Sequence, residues 1–118
     1  MARLSTHVLD TANGKPGAGV HVLLYRLDGG YSDTLVTERV TNRDGRTDAP
    51  LLSGSEIETG HYRLVFHAGD YFRECGMVLP DPPFVDVVEL RFGIANGQGD
   101  YHVPLLVSPW SYSTYRGS

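Results

Sequence analysis

Five histidines are the residues of this chain best suited to carry protons near neutral pH. They are His7, His21, His61, His67 and His102. Their spacing matches no short metal-binding motif, and two of them that share a predicted strand, six residues apart, are separated by about 20 Å at the strand rise. A structural zinc site is therefore not indicated. Taken singly, each histidine is more often a structural or solvated residue than a catalytic one.

The sequence gives no support for three other kinds of active site that have recognisable motifs. The chain has no Gly-x-Ser-x-Gly segment, which marks one class of nucleophilic serine. The glycines between positions 93 and 99 precede no predicted helix, so a phosphate-binding loop is not indicated. Cys75 stands beside Glu74 in a predicted helix, where a thiolate is disfavoured, and we expect a buried or inert thiol.

The predicted strand at 101–107 has two different faces, because side chains alternate along a strand. The face predicted to enter the core carries Tyr101, Val103, Leu105 and Val107. The opposite face carries His102, Pro104 and Leu106. An imidazole beside a proline and a leucine fits a surface covered by another subunit, and equally an exposed edge strand interrupted by proline. The pattern leaves both interpretations open.

Length and composition limit the class of protein. The 118 residues predict one domain spanning 1–118, and 41% hydrophobic with 20% charged residues is typical of a globular chain. A net charge of -4 disfavours non-specific nucleic-acid binding, which needs a basic surface. No apolar run approaches the roughly 20 residues that cross a bilayer. With one cysteine and no secretory signal pattern, we expect a cytoplasmic protein.

Short apolar runs separated by glycine and proline are typical of an all-β domain. The predicted strands are 5–10, 20–27, 32–41, 61–67, 85–94, 101–108 and 110–115. A short helix is predicted at 69–75 with Asp70 as its N-cap, and Gly45 is predicted to close a turn. Asn96-Gly97 predicts a hairpin that joins the strands 85–94 and 101–108. Together these elements imply a β-sandwich of mostly antiparallel sheets.

Three segments of the chain resemble the 5-hydroxyisourate hydrolase family, the enzyme branch of the transthyretin fold. The first runs from Leu4 to Asp10 (Leu-Ser-Thr-His-Val-Leu-Asp) and is followed by Gly-Lys-Pro at 14–16; the second is Thr-Asn-Arg-Asp-Gly-Arg at 41–46. The third is Tyr-His-Val-Pro-Leu-Leu-Val-Ser-Pro at 101–109, which leads into the terminal Tyr-Arg-Gly-Ser. That ending is specific to the hydrolases. Trp110 stands where tyrosine is more usual.

The resemblance implies an all-β, transthyretin-like two-sheet antiparallel sandwich of seven to eight strands with one short helix. It also implies a homotetramer, a dimer of dimers with active sites in the channel between dimers. The implied reaction is hydrolysis of 5-hydroxyisourate to 2-oxo-4-hydroxy-4-carboxy-5-ureidoimidazoline in urate degradation, without a cofactor or metal. The residues it assigns to catalysis are His7, Arg46, His102 and Ser118. Those it assigns to substrate binding are His7, Arg46, His102, Tyr115, Arg116 and Gly117.

In the expected mechanism, His7 and His102 flank a ring carbonyl and transfer protons, while Arg46 stabilises negative charge on the carbonyl oxygen. The C-terminal residues would orient the site, and a carboxylate at Ser118 would raise the basicity of a nearby imidazole. Which histidine acts as the base stays open. Two alternatives are a carrier of hydrophobic hormones, expected to have an apolar and hydroxyl-lined channel, and a non-catalytic interaction sandwich.

Overall fold

The computed structural model describes residues 2–29 and 32–117. Within these ranges the chain forms nine strands, a short 3-10 helix at Gly54–Glu56 and one α-helix, α1, at Ala68–Glu74. The strands are β1 (Arg3–Asp10), β2 (Lys15–Pro16), β3 (His21–Asp28), β4 (Ser32–Val40), β5 (Leu52–Ser53), β6 (Gly60–His67), β7 (Val87–Ile94), β8 (Tyr101–Val107) and β9 (Tyr112–Thr114). No helix in the described ranges is long and apolar enough to cross a membrane.

The strands form two sheets. One sheet has the order β2-β1-β8-β9, with β5 also paired to β1, and the other has the order β4-β3-β6-β7. Among the described residues, all strand pairs are antiparallel except β1 with β8, which run parallel. The predicted all-β sandwich of two sheets with one short helix is therefore confirmed, although the central pair of the first sheet is parallel.

Alternating apolar residues on the inner faces of both sheets form the core. The inward side chains of β3, β6, β7 and β8 include Val22, Leu24, Tyr62, Leu64, Phe66, Val88, Leu90, Leu105 and Val107. On β8 they confirm the face that was predicted to enter the core. Burial of each large apolar side chain contributes about 1.5–3 kcal/mol, so the register of each strand is strongly fixed. Because the alternate residues then point outward, this register decides which polar side chains reach the outer surface.

The predicted hairpin at Asn96-Gly97 is wrong, because β7 and β8 belong to different sheets. Residues 95–100 cross from one layer to the other, and the hydroxyl oxygen of Tyr101 accepts hydrogen bonds from the N–H groups of Ala95 and Asn96, both at 3.1 Å. The strand β8 lies between β1 and β9, so the alternative of an edge strand is also wrong. Pairing of β8 with β1, across most of the chain length, is a long-range contact that no local turn signal encodes.

Three smaller predictions differ from the structure. The N-cap of α1 is His67, the last residue of β6, since the strand runs directly into the helix and Asp70 already lies within its first turn. Cys75 is exposed rather than buried. Only Tyr112–Thr114 of the predicted strand 110–115 is extended in register with β8.

Candidate active site

The outer face of the first sheet carries two histidines on neighbouring strands. In the parallel ladder, Ser5 is opposite His102, and His7 is opposite Pro104. Leu4, Thr6 and Val8 are buried on the inner side of β1, so Ser5 and His7 project outward by alternation. The imidazole rings of His7 and His102 consequently lie with their centroids 6.4 Å apart and their planes tilted by 39°.

A tight turn at residues 42–46 brings Arg46 to the same face. Gly45 has a φ of +75°, and a Cβ atom at this position would collide with the carbonyl oxygen of Val8. The N–H of Val8 donates to the carbonyl oxygen of Gly45 at 2.7 Å, and His7 and Arg46 form an antiparallel bridge. Glycine is thus required here both by the left-handed backbone and by the close approach of β1.

Hydrogen bonds orient both imidazoles. The Nε2 atom of His7 lies 2.9 Å from the backbone oxygen of Asp44. Because a carbonyl oxygen only accepts, Nε2 carries the proton, and Nδ1 of neutral His7 holds the free lone pair. The Nδ1 atom of His102 lies 2.8 Å from the hydroxyl oxygen of Ser5, which can donate or accept.

Ser5 was not among the predicted site residues. The signal that could have found it is its position two residues before His7, which places both side chains on one face of the strand.

The C-terminal segment packs directly against His102. The N–H of Gly117 donates to the carbonyl oxygen of His102 at 2.8 Å, which forms an isolated antiparallel bridge. A Cβ atom on Gly117 would lie only 2.8 Å from Cδ2 of His102, so glycine lets the backbone touch the ring. Ser118, which the resemblance places in the site, lies outside the described residues.

Two open clefts meet at His102. A cleft of about 460 Å³ is lined by Arg3, Ser5, Thr6, Arg46, Thr47, Asp48, Ala49, Pro50, Asp100, Tyr101 and His102. A second, of about 770 Å³, is lined by Asp100, His102, Tyr115, Arg116 and Gly117. Arg46 thus lines the cleft on one side of His102, and Tyr115, Arg116 and Gly117 line the cleft on the other side. His7 lines neither cleft, but its ring lies next to that of His102. In the described part of the chain, no three His, Cys, Asp or Glu side chains are grouped to hold a metal ion.

Burial and a neighbouring cation favour the neutral form of both imidazoles, because each lowers the pKa. Desolvation is the largest cause that lowers the pKa of His7 below 6.5; the Arg46 guanidinium adds to it, and the backbone oxygen and carboxylate of Asp44 oppose it. Desolvation also lowers the pKa of His102, followed by the charges of Arg46 and His7. A pair of neutral imidazoles beside a permanent cation can accept protons while the cation binds an oxyanion.

We expect an NMR titration of the histidine Cε1–H signals to give pKa values below 6.5 for His7 and His102. Replacement Arg46→Gln should raise both values, because it removes a cation that opposes protonation. Folded histidines with lowered pKa bind fewer protons than unfolded ones, so the free energy of unfolding should decrease as pH falls through 6.5 toward the folded pKa. A value at or above 6.5 for both residues in the native protein would contradict this electrostatic description.

The chain has close relatives with curated names and solved structures. It matches the family described as "HIUase/Transthyretin family" over residues 4–117. It is 59% identical over 116 residues to "5-hydroxyisourate hydrolase 2" of Rhizobium meliloti, covering 98% of this chain and 96% of that protein. Among solved structures, "Structure of Klebsiella pneumoniae 5-hydroxyisourate hydrolase" is similar with a TM-score of 0.81 and 34% identity, over 100% of both chains.

A longer protein contains a segment of the same fold. The solved structure "Crystal structure of (S)-allantoin synthase" has a TM-score of 0.94 and 49% identity over 99% of this chain, which spans only 44% of that protein. Two findings agree with the resemblance of the three segments. The family matches residues 4–117, and the similarity to the Rhizobium protein extends over 98% of this chain. This chain therefore belongs to the HIUase/transthyretin family.

Proposed function

We propose that this protein hydrolyses 5-hydroxyisourate to 2-oxo-4-hydroxy-4-carboxy-5-ureidoimidazoline, the step that follows urate oxidation in purine degradation. The observation that carries the proposal is the convergence of His7, Arg46 and His102, from three distant segments, beside one cleft. The names of full-length relatives at high identity support the substrate. Two imidazoles and a guanidinium make a site with charged and proton-transferring groups, unlike the apolar and hydroxyl-lined channel expected of a hormone carrier.

In the first step, the Nε2 atom of His102 removes a proton from water, and the water oxygen attacks a ring carbonyl carbon. His102 suits this role because its Nδ1–H can donate to Ser5, which leaves Nε2 free to accept and then stabilises the imidazolium. The guanidinium of Arg46 donates hydrogen bonds that stabilise the developing negative charge on the carbonyl oxygen. His7, with Nε2–H held by Asp44, offers Nδ1 as an acceptor that orients water or a substrate N–H.

In the second step, the tetrahedral intermediate collapses and the bond from the carbonyl carbon to the ring nitrogen breaks. The imidazolium of His102 returns its proton to the departing nitrogen, so the base of the first step is the acid of the second. The new carboxylic acid loses its proton to solvent at neutral pH. We propose that Tyr115, Arg116 and Gly117 form the wall beside His102, and that Ser118 belongs to the same site.

The proposed reaction is tested by following the absorbance decay of freshly prepared 5-hydroxyisourate with and without the protein. The substrate decays spontaneously, so the decay without protein is subtracted. A protein-dependent rate that saturates with substrate supports the proposal, whereas equal decay in both samples would exclude it. A carrier would instead bind hydrophobic hormones stoichiometrically and leave the decay rate unchanged.

Replacement Gly117→Ala is expected to lower kcat by roughly 10-fold or more, since a displacement approaching 1 Å in a reacting group costs about 100-fold. The added methyl would lie 2.8 Å from Cδ2 of His102, so the imidazole or the tail must move. Gly93→Ala is the matched control, because its nearest non-adjacent atom lies at 3.9 Å. Steady-state kinetics of both variants decide the prediction, and equal kcat values would remove Gly117 from the site.

We also propose that the protein assembles as a homotetramer, a dimer of dimers. Strands β7 and β9 stand at the ends of their sheets, and Val87, Trp110 and Tyr112 near these ends expose 46%, 60% and 49% of their surface. An unpaired strand end with exposed apolar side chains favours association with another copy. Light scattering on a size-exclusion column should give four chain masses, and a monomeric mass would exclude the assembly.

A cytoplasmic location completes the proposal. The exposed thiol of Cys75 is compatible with a reducing compartment, where free cysteines persist. Cell fractionation with an antibody to this protein tests it, and recovery in an extracellular or periplasmic fraction would contradict it.

A further inference from the structure

The guanidinium of Arg116, although it lines the cleft beside His102, is engaged by groups behind the site. Its Cζ atom lies 4.2 Å from the ring centroid of Tyr101, over the face of the ring. Its Nη2 atom donates to the backbone oxygen of Asp100 at 3.1 Å. Both partners precede His102 immediately in the chain, so the terminal segment is fastened to the residues that carry the imidazole.

The tyrosine ring under Arg116 is itself held rigidly. Tyr101 is 7% exposed, and its hydroxyl oxygen accepts two backbone N–H groups from the crossing between β7 and β8. A cation above the face of an immobilised aromatic ring is attracted by the ring quadrupole. The ring therefore provides a fixed platform for a guanidinium that lies on the surface of the molecule.

We infer that Tyr101 and Arg116 form a clamp that docks the C-terminal segment and thereby positions the imidazole of His102. The residue after Arg116 is Gly117, whose N–H binds the His102 carbonyl and whose backbone packs against the ring. Residues 115–117 follow the end of β9, so the β8–β9 ladder does not hold them. If the clamp is lost, one described main-chain hydrogen bond, from Gly117 to His102, remains to hold them against β8. Tyr101 and Arg116 are positioning residues in this scheme, and their effect on turnover rests on the proposed hydrolase activity.

A double-mutant cycle tests the clamp. Arg116→Gln and Tyr101→Leu are each expected to lower kcat about 10-fold by reducing the docked population of the tail, and the double variant should lose about the same 10-fold. Tyr101→Phe retains the ring and should recover most of the activity. Tyr62→Leu, which removes an aromatic of similar burial from the other sheet, is the control for simple destabilisation.

Two results would overturn the clamp. A double variant with about a 100-fold loss would show that the two side chains act independently. A Tyr101→Leu variant that loses only thermal stability, as the Tyr62→Leu control does, would make the ring an ordinary core residue.

A readout without substrate separates this inference from the proposed reaction. The Cε1–H and Cδ2–H signals of His102 should shift in Arg116→Gln and in Tyr101→Leu but not in Tyr62→Leu, because only the first two release the tail from the ring. If the native protein fails to accelerate the decay of 5-hydroxyisourate, the proposed function fails while these shifts still decide the clamp. Because Arg116 is exposed, Arg116→Gln should keep the native fold. Unchanged His102 signals in this variant would overturn the clamp.

Discussion

Replacement of His102 by asparagine is expected to lower kcat/KM for 5-hydroxyisourate by about 10²–10⁴-fold, the range for loss of a positioned general base. The asparagine amide can keep the hydrogen bond to Ser5 that Nδ1 makes in the native protein, so the variant removes mainly the reactive Nε2 atom. His102 is only half-buried on the outer face of β8, and its replacement leaves the core intact.

The control for this variant is His21→Asn. His21 forms a second histidine pair with His67, with ring centroids 6.3 Å apart, on the other sheet of the sandwich. Its replacement should leave kcat/KM unchanged, while circular dichroism should show that both variants keep the native fold. Native-like turnover in His102→Asn would remove this residue from the mechanism and leave His7 as the candidate base.

Replacement Arg46→Gln is expected to lower kcat by about 10²–10³-fold, the cost of losing one donor to a developing oxyanion. Arg46 is exposed and stands after the turn glycine, so the change in the free energy of unfolding should stay within about 0.5 kcal/mol. Arg46→Lys keeps the charge but lacks the planar donor fork, and it should recover only part of the activity.

The neighbouring Arg43 provides a matched control on the same turn. It is exposed and does not line the clefts around His102, so Arg43→Gln removes one positive charge without touching the site. If Arg43→Gln lowers turnover as much as Arg46→Gln, the effect is a general attraction of an anionic substrate, and the assigned contact with the oxyanion is wrong. The two variants measured at low and high salt distinguish these cases, since long-range attraction is screened.

Local patterns in the sequence predicted the elements and their buried faces well. Alternation along 101–107 correctly placed Tyr101, Val103, Leu105 and Val107 in the core. The glycine at position 45 correctly predicted a turn with a left-handed backbone. These signals work because side-chain alternation and turn conformation depend on neighbouring residues alone.

Local patterns did not predict which strands pair with each other. Asn96-Gly97 has the composition of a hairpin turn, yet the flanking strands β7 and β8 join different sheets. The crossing between them is held by hydrogen bonds from the N–H groups of Ala95 and Asn96 to the hydroxyl of Tyr101, and β8 instead pairs with β1 from the start of the chain. The cap of α1 and the exposure of Cys75 were missed for a similar reason, since both depend on how the helix joins β6 and packs.

By itself, the sequence determined that this is an all-β chain, which face of the strand at 101–107 enters the core, and, through three segments, the family that the chain resembles. Only the tertiary structure decided that Ser5 bonds an imidazole 97 positions away, that Arg46 stands next to His7, and that Arg116 rests on Tyr101. Periodicity reports which face of a strand a residue occupies, but it carries no information about which strand lies alongside. The pairing of strands depends on burial of the whole core, and the geometry around His102 follows from that pairing.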